Sequence, residues 1–382
     1  MILGLSINQL LILALFFITA LNCAITYFCC NKSLKIYEDG KFVSKAVNNL
    51  RVMDQYVLSK INIVIALLYF GISYVFVESK LEFSGYVFFL SCLLSFVLTL
   101  FSTYASRVCY CYTCNLLLET KLNEYECFVF NFKRLIMTYA PFLIISLVVP
   151  SVYMIDTSNF IRNASCLIIL VIIFLLWIIL TPKVVALSYG AKEIESNSLL
   201  RHRLVQLMKK HHINKYKLYY WDSSRSKESN AMVSGIVKSY LFVSSTLIEE
   251  LTLPELEAVI THEIGHIKNK HMLKMMIIKL FSICSLVLMA LLPIILELDF
   301  LKKVGFYFFA VLAVVFGVIV STSIERKYEE EADMYAVCYS PPELFASALK
   351  KISKYEDEEK GKIDGLFQSH PDTEERIKKI KK

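Results

Sequence analysis

The chain has 382 residues, of which 56% are hydrophobic and 20% are charged, and its mean hydropathy is +0.53. These values exclude an ordinary soluble domain and indicate a polytopic membrane protein. The formal net charge of +7 is not gathered into a polybasic block with interleaved aromatic residues, so we expect no nucleic acid among its partners.

Several segments are apolar enough, and at roughly 20 residues about long enough, to cross a bilayer. In chain order they are Leu3–Phe28, Ile61–Val77, Phe83–Phe101, Leu135–Tyr153, Ala164–Leu180, Leu273–Leu296 and Val304–Val320. The first nine residues carry no Lys or Arg, so the first segment is expected to be an uncleaved span. The sequence therefore predicts a mainly α polytopic membrane protein with seven transmembrane helices.

The basic residues predict the orientation of these spans. The loops after the first, third and fifth segments are rich in Lys and Arg, whereas the alternate loops hold little beyond Lys80, Arg162, Lys302 and Lys303. By the positive-inside rule the N-terminus lies outside and the C-terminus inside. The expected location is a bacterial plasma membrane, or the endoplasmic reticulum in a eukaryote.

A group of cysteines falls in the predicted inner loop after the third segment: Cys109, Cys111, Cys114 and Cys127. Structural zinc sites usually contain two well-formed cysteine pairs, and here only Cys111 and Cys114 have such spacing. Reduced, unligated thiols are therefore favoured over a metal site.

The polar sequence is concentrated in two blocks, Lys183–His271 and Ser321–Lys382. The last two spans separate the blocks and form a hairpin, so both blocks return to the same side and can build one domain. The predicted organisation is a membrane domain with five spans (1–180), a first catalytic segment (181–271), the transmembrane hairpin (272–320) and a second catalytic segment (321–382).

The first block predicts a helix followed by short strands. The helix covers Ala191–His212, and Lys217–Trp221 is a strand. Ala231–Ser234 and Tyr240–Ser244 predict a hairpin that turns near Gly235.

A second helix has a well-marked start. Thr252 is a suitable N-cap, Glu255 three residues later completes a capping box, and Pro254 falls in the first turn, where proline is tolerated. An apolar stripe follows, made of Leu256, Val259, Ile260, Ile264 and Ile267.

This helix carries the strongest chemical signal in the chain, His262-Glu263-Ile264-Gly265-His266. On a helix, histidines at i and i+4 share one face, where both can bind one zinc ion. Glu263 lies beside them, where it can act as general base on a water molecule activated by the metal.

The other histidines are given different roles. His271 follows His262 by nine residues, or about 180° around a continuous helix. It is predicted to be a polar residue at the membrane boundary rather than a ligand. His202, His211 and His212 lie among basic residues and are predicted to be solvated.

The third zinc ligand is expected from the second block. Ser321–Tyr339 predicts an acidic helix that holds Glu325, Glu329, Glu330, Glu331 and Asp333. Glu329 and Asp333 at i and i+4 could supply a ligand and a carboxylate that orients a ligand histidine. Glu330, with Asp333 at i+3, is nearly as good a ligand.

These motifs together resemble those of the integral-membrane zinc metalloproteases that include the type I CAAX prenyl proteases and the HtpX-like proteases. The matching elements, in order, are Ser229-Asn230-Ala231 with Gly235, the His262–His266 motif, Glu329-Glu330-Glu331-Ala332-Asp333, and His370-Pro371 followed by Arg376. The order and spacing of the set are far more specific than the histidine motif taken singly.

The resemblance implies a small α+β, gluzincin-like metalloprotease domain with one Zn2+ per chain. It implies that Glu329 is the third ligand, that Asp333 and Arg376 support the ligands from outside, and that His370 hydrogen-bonds the tetrahedral intermediate. It also implies that Asn230 and Ala231 belong to an edge strand that pairs with extended substrate. Arg326-Lys327-Tyr328 departs from the usual family pattern, so the choice between Glu329 and Glu330 stays open.

The function that these observations favour is zinc-dependent endopeptidase activity at the inner face of a membrane. The substrate would be a peptide or protein, membrane-bound or lipidated, in CAAX-type processing or in membrane protein quality control. One alternative is a site-2-type intramembrane protease, although the polar run Lys268–His271 places the motif near water. The other is an inactive zinc-containing sensor or scaffold, against which an intact Glu263 argues.

Overall fold

The structure is a computed structural model that describes residues 7–40, 84–118, 159–224, 229–278, 323–353 and 373–381, with a few shorter pieces between them. The chain divides into two compact units, Met1–Leu180 and Thr181–Lys382. Each unit is described by itself.

The described part of the first unit is helical. Helix α1 covers Ile7–Gly40, α2 covers Ser84–Leu118, and α3 covers Asn159–Tyr189, whose last residues belong to the second unit. Within the described residues, three helical stretches are long and apolar enough to cross a membrane: Ile12–Asp39, Leu93–Leu117 and Ile168–Tyr189.

Helices α1 and α2 pack together through a polar seam. The Asn22 side chain donates hydrogen bonds to the hydroxyls of Ser102 at 2.7 Å and Ser106 at 3.2 Å, and Thr26 donates to Ser106 at 3.0 Å. All four side chains are buried. Hydrogen bonds between small polar side chains are a common way for apolar helices to associate.

The three candidate spans correspond to the first, third and fifth predicted segments, each extended toward the C-terminus. The other four predicted segments lie wholly or mostly outside the described residues. One expectation is corrected: Cys109 and Cys111 lie on α2, inside the Leu93–Leu117 stretch, and not in a loop. Both are free thiols.

A four-stranded mixed sheet organises the second unit. Its strands are β1 (Lys192–Glu193), β2 (Tyr216–Trp221), β3 (Ala231–Ser234) and β4 (Ser239–Ser244), in the spatial order β1-β2-β4-β3. Strands β2 and β4 are parallel, and the two outer pairs are antiparallel. Strand β3 therefore lies at an edge of the sheet as described.

Seven helices accompany the sheet in the described part of this unit. They are α4 (Leu199–Lys210), α5 (Ser245–Glu250), α6 (Leu253–Lys268), α7 (271–278), α8 (323–339), α9 (Pro342–Ile352) and α10 (Thr373–Ile380). One apolar core joins residues of α4, β2, β4, α6, α8, α9 and α10. Both polar blocks of the sequence thus contribute to a single core.

The first predicted helix of this unit is shorter than expected. The sequence pattern places its start at Ala191, but Lys192 and Glu193 pair with Tyr220 and Tyr219 as strand β1. The helix starts after Ser198, whose hydroxyl accepts a hydrogen bond from the backbone of Arg201. Pairing of Lys192 and Glu193 in the sheet and the N-cap at Ser198 together move the start of the helix from Ala191 to Leu199.

Candidate metal and active site

The site is built where α6 packs against α8. A Cβ atom added to Gly265 would lie 3.0 Å from the Cβ of Tyr335 and 3.1 Å from the Cα of Ala332. The missing side chain of Gly265 therefore lets the two helices approach closely. This contact brings the histidine face of α6 beside the carboxylates of α8.

His262, His266 and Glu329 converge at this contact. The Nε2 atoms of the two histidines are 3.2 Å apart. The Glu329 carboxylate oxygens lie 3.5 Å from the Nε2 of His262 and 3.5 Å from the Nε2 of His266. His262 and Glu329 are buried, and Phe345 stacks on the His262 ring.

These distances fit a tetrahedral zinc site. With zinc–ligand distances of about 2.0–2.1 Å, the ligand atoms of a tetrahedral site are about 3.3 Å apart. The three measured separations, 3.2, 3.5 and 3.5 Å, lie close to this value. Two imidazoles and one carboxylate are also a usual ligand set for catalytic zinc.

Asp333 lies on the side of the His262 ring opposite the candidate metal position. Its Oδ1 lies 2.9 Å from the Nδ1 of His262. Arg376 on α10 holds the same carboxylate with two hydrogen bonds, of 2.8 and 2.7 Å. Burial would raise the pKa of Asp333, but Arg376 and His262 outweigh it and lower the pKa.

The electrostatics of this pocket favour a cation. Burial by itself would lower the pKa of His262, yet hydrogen bonds and charges from Asp333 and Glu329 outweigh burial and raise it to about 9. The same two carboxylates that favour a proton on His262 would also favour a bound metal cation.

Glu263 is half-buried and follows His262 directly on α6. Glu330, which follows Glu329 on α8, is ion-paired with Lys379 at 2.6 Å and is about half exposed. Of the two ligand candidates on α8, the structure brings Glu329 to the histidines and turns Glu330 toward α10.

His271 differs from the expectation and is a residue that the sequence reasoning missed. It is buried, 3% exposed, and its Nδ1 lies 2.9 Å from the Nδ1 of His266. The prediction assumed one continuous helix, but α6 ends at Lys268 and Lys270 has a positive φ of 53°. Asn269, a residue type common at helix ends, was the available sequence signal.

His211 also corrects the sequence prediction. It is 2% exposed, its Nδ1 forms a hydrogen bond with the Tyr335 hydroxyl at 2.8 Å, and its ring meets that of Tyr339 edge-on. Burial lowers its pKa, reinforced by nearby lysines. His202 and His212 are exposed as expected.

The residues that are predicted to pair with substrate lie beside α6. Asn230 donates its backbone N–H to the hydroxyl of Ser244, and Ala231 pairs with Val243. Strand β3, which starts at Ala231, packs near α6. His370 lies outside the described residues.

Comparisons with known proteins point to one family. Residues 194–382 match the model of peptidase family M48. The chain is 26% identical to a protease HtpX homolog of Bacillus subtilis (strain 168) over 226 residues, which cover 53% of this chain and 73% of that protein. It is 30% identical to protease HtpX of Idiomarina loihiensis over 179 residues, 40% of this chain and 62% of that protein.

A solved structure has a similar fold. The crystal structure of S. mikatae Ste24p superposes with a TM-score of 0.63 and 16% sequence identity, covering 98% of this chain and 99% of that one. At this identity the likeness concerns the fold.

Proposed function

Because the chain belongs to peptidase family M48 through its residues 194–382, we propose that it is a zinc-dependent endopeptidase that acts at the inner face of a membrane. The proposal joins the family membership with the three helices that are apolar and long enough to span a bilayer.

The observation that carries the proposal is the triangle of ligand atoms on His262, His266 and Glu329, with sides of 3.2, 3.5 and 3.5 Å. These three residues would hold the metal. When bound, zinc polarises the scissile carbonyl and lowers the pKa of a water molecule toward neutrality.

The chain's own groups would move the protons. Glu263, next to His262, accepts a proton from the attacking water and returns it to the leaving amine. Asp333, held by Arg376, lies 2.9 Å from the Nδ1 of His262, where its negative charge would favour a proton on Nδ1 and leave Nε2 available to the metal. His370 would donate a hydrogen bond to the oxyanion as it develops.

The substrate would bind as an added strand. Strand β3 lies at the sheet edge and packs near α6, so an extended peptide paired along Asn230 and Ala231 would pass close to Glu263. A lipidated protein tail and a damaged membrane protein are the two substrate classes that suit a site on a membrane-spanning chain. Mass-spectrometric mapping of cleavage products in cells with and without an active copy would distinguish them.

The decisive experiment is the substitution Glu263→Gln. It removes the proton acceptor but leaves the three ligands in place, so zinc content and thermal stability should stay near wild type. Peptide cleavage should fall by about two to four orders of magnitude, the usual contribution of general acid–base catalysis. Glu257→Gln, the same change at a half-buried position six residues earlier on α6, is the control and should retain activity.

Two outcomes would contradict this function. Cleavage by Glu263→Gln at the wild-type rate would reject Glu263 as the base. A wild-type chain that binds zinc but cleaves nothing, with no effect of Glu263→Gln in cells, would instead identify an inactive sensor or scaffold.

A further inference from the structure

His271 occupies a place between a candidate ligand and a carboxylate. Its Nδ1 lies 2.9 Å from the Nδ1 of His266, and its Nε2 lies 3.0 Å from an oxygen of Glu331. Its ring is stacked on that of Tyr328, with centroids 4.3 Å apart and planes 9° from parallel. Both ring nitrogens and one ring face of His271 are therefore engaged.

The direction of the hydrogen bonds follows from the chemistry of His266. If Nε2 of a neutral His266 faces the metal, its proton is on Nδ1, and this N–H can donate to the Nδ1 of His271. His271 then carries its own proton on Nε2 and donates it to Glu331. Each nitrogen has one defined role, and the chain of bonds ends on a carboxylate.

We propose that His271 is a positioning residue that orients His266 for zinc through the series His266–His271–Glu331. The inference rests on the proposed zinc-dependent function and adds two residues to its machinery. It gives His266 an outer partner that is equivalent to the direct contact between His262 and Asp333. Ligand histidines usually donate their second N–H to such a partner, which sets ring orientation and basicity.

His271 is not a fourth ligand of the same ion. The Nε2 of His266 faces His262 and Glu329, whereas its Nδ1 faces His271. The two nitrogens are on different sides of the imidazole ring, so His271 lies behind the ligand and not beside the metal.

The end of helix α6 brings His271 to this place. The backbone N–H of Asn269 donates to Gly265, that of Lys270 donates to Ile267, and Lys270 adopts a left-handed conformation with φ of 53°. Helix α7 then begins at His271. This break between the two helices places the His271 side chain against His266 of α6, whereas a continuous helix would direct it away.

The test compares zinc affinity among variants of the detergent-purified full chain. His271→Phe keeps a ring that can stack on Tyr328 but removes both nitrogens, and should weaken zinc binding about 10- to 100-fold, as loss of an outer partner does. His271→Gln offers an amide oxygen to His266 and an amide N–H to Glu331, and should restore most of the affinity. Affinity is measured by competition with a chelator and needs no substrate.

Glu331 and Glu330 are neighbouring acidic residues, so the same substitution at each gives a test variant and a matched control. Glu331→Gln should weaken zinc binding, whereas Glu330→Gln, whose partner is Lys379, should not. Visible absorption of the cobalt-substituted chain is a second readout, since it responds to ligand orientation. The spectrum of His271→Phe should differ from that of wild type, and the spectrum of His271→Gln should match it.

The outcomes separate this inference from the function on which it rests. Wild-type zinc affinity and spectrum in His271→Phe would overturn the proposed series His266–His271–Glu331. Equal losses of zinc affinity in His271→Phe and His271→Gln would also overturn it. A wild-type chain that binds zinc without cleaving peptides overturns the proposed protease function. The zinc affinities of the variants relative to wild type would still test the series His266–His271–Glu331. A wild-type chain that binds no zinc overturns both.

Discussion

At the scale of single residues, the acidic side chains of α8 have separate environments although they are close in sequence. Glu329 faces His262 and His266, Asp333 faces the Nδ1 of His262, and Glu331 faces His271. Helical spacing explains why Glu329 and Asp333 both face His262, because residues at i and i+4 share a face. We therefore expect substitutions on this short segment to differ sharply in their effects.

Glu329→Gln and Glu330→Gln should have different effects on zinc affinity. Loss of the Glu329 charge weakens a proposed ligand and should reduce the affinity by more than the 10- to 100-fold that is typical of an outer partner. Glu330→Gln removes a half-exposed ion pair with Lys379, and surface pairs of this kind contribute about 0–1 kcal/mol. Chelator competition on the purified chain measures both, and the reverse order would assign the ligand to Glu330.

At the scale of elements, the contact between α6 and α8 determines whether the two halves of the site meet. Gly265 allows it, since even a single added carbon would lie 3.0–3.1 Å from atoms of Tyr335 and Ala332. Helix α6 carries two of the proposed ligands and α8 carries the third, so the separation of the two helices sets the distances between the ligand atoms.

Gly265→Val should separate these helices. Overpacking of this kind costs about 1–3 kcal/mol of stability, and zinc affinity should fall with it because Glu329 moves away from the histidines. Lys268→Val, at an exposed position on the same helix, is the control for the helix propensity of valine, which costs less than about 1 kcal/mol. Wild-type melting temperature and zinc affinity in Gly265→Val would refute this role of the glycine.

The start of α6 is tied to α9 through Glu255. Its carboxylate accepts hydrogen bonds from the backbone and hydroxyl of Thr252, from Ser347 at 2.7 Å and from Lys351 at 2.6 Å. Burial would raise the pKa of Glu255, but these hydrogen bonds, led by that from Lys351, lower it from 4.5 to about 2.

Glu255→Gln should therefore destabilise the chain in a pH-dependent way. Because the folded-state pKa is depressed, the carboxylate stabilises the fold fully above pH 4.5, and the stabilisation is lost as pH falls toward 2. We expect a cost of about 1–3 kcal/mol at neutral pH that shrinks on acidification, measured by thermal unfolding across pH. Glu374→Gln, which breaks the exposed pair with Lys378, is the control. An equal cost for Glu255→Gln at pH 7 and pH 3 would contradict the assignment.

At the scale of the whole molecule, the described residues contain three candidate spans, while the sequence predicts seven. The orientation that we propose, with the C-terminus inside, rests on the uneven distribution of Lys and Arg. In this orientation both polar blocks of the sequence lie on the inner side.

Single cysteines test this orientation in a chain whose 11 native cysteines are replaced by serine. Cysteines at Asn159 and Asp299 should react with an impermeant thiol reagent added from outside. Asn159 lies between the fourth and fifth predicted spans and Asp299 between the sixth and seventh, and both of these loops are predicted to be on the outer side. A cysteine at Lys192, an exposed residue after α3, should react only after the membrane is permeabilised. Labelling of Asp299 and Lys192 from the same side would reject the predicted hairpin 272–320.

Local patterns predicted much of the second unit because they depend on neighbouring residues. The capping box at Thr252 and Glu255 forms, the strands near Gly235 pair as a hairpin, and the predicted family is confirmed by the match of residues 194–382. The predicted environments of His211 and His271 were wrong, because each residue contacts α8, which is more than 50 residues away along the chain.

Taken by itself, the sequence determined which residues could bind zinc and which side of each helix they share, because helical spacing places His262 with His266 and Glu329 with Asp333 without reference to any other element. Helical spacing does not show that these two faces meet, that Glu329 rather than Glu330 faces the histidines, or that His271 contacts His266; the packed fold does. Those outcomes depend on the close approach at Gly265 and on the left-handed backbone conformation of Lys270, which are set by packing between distant segments and leave little trace in local periodicity.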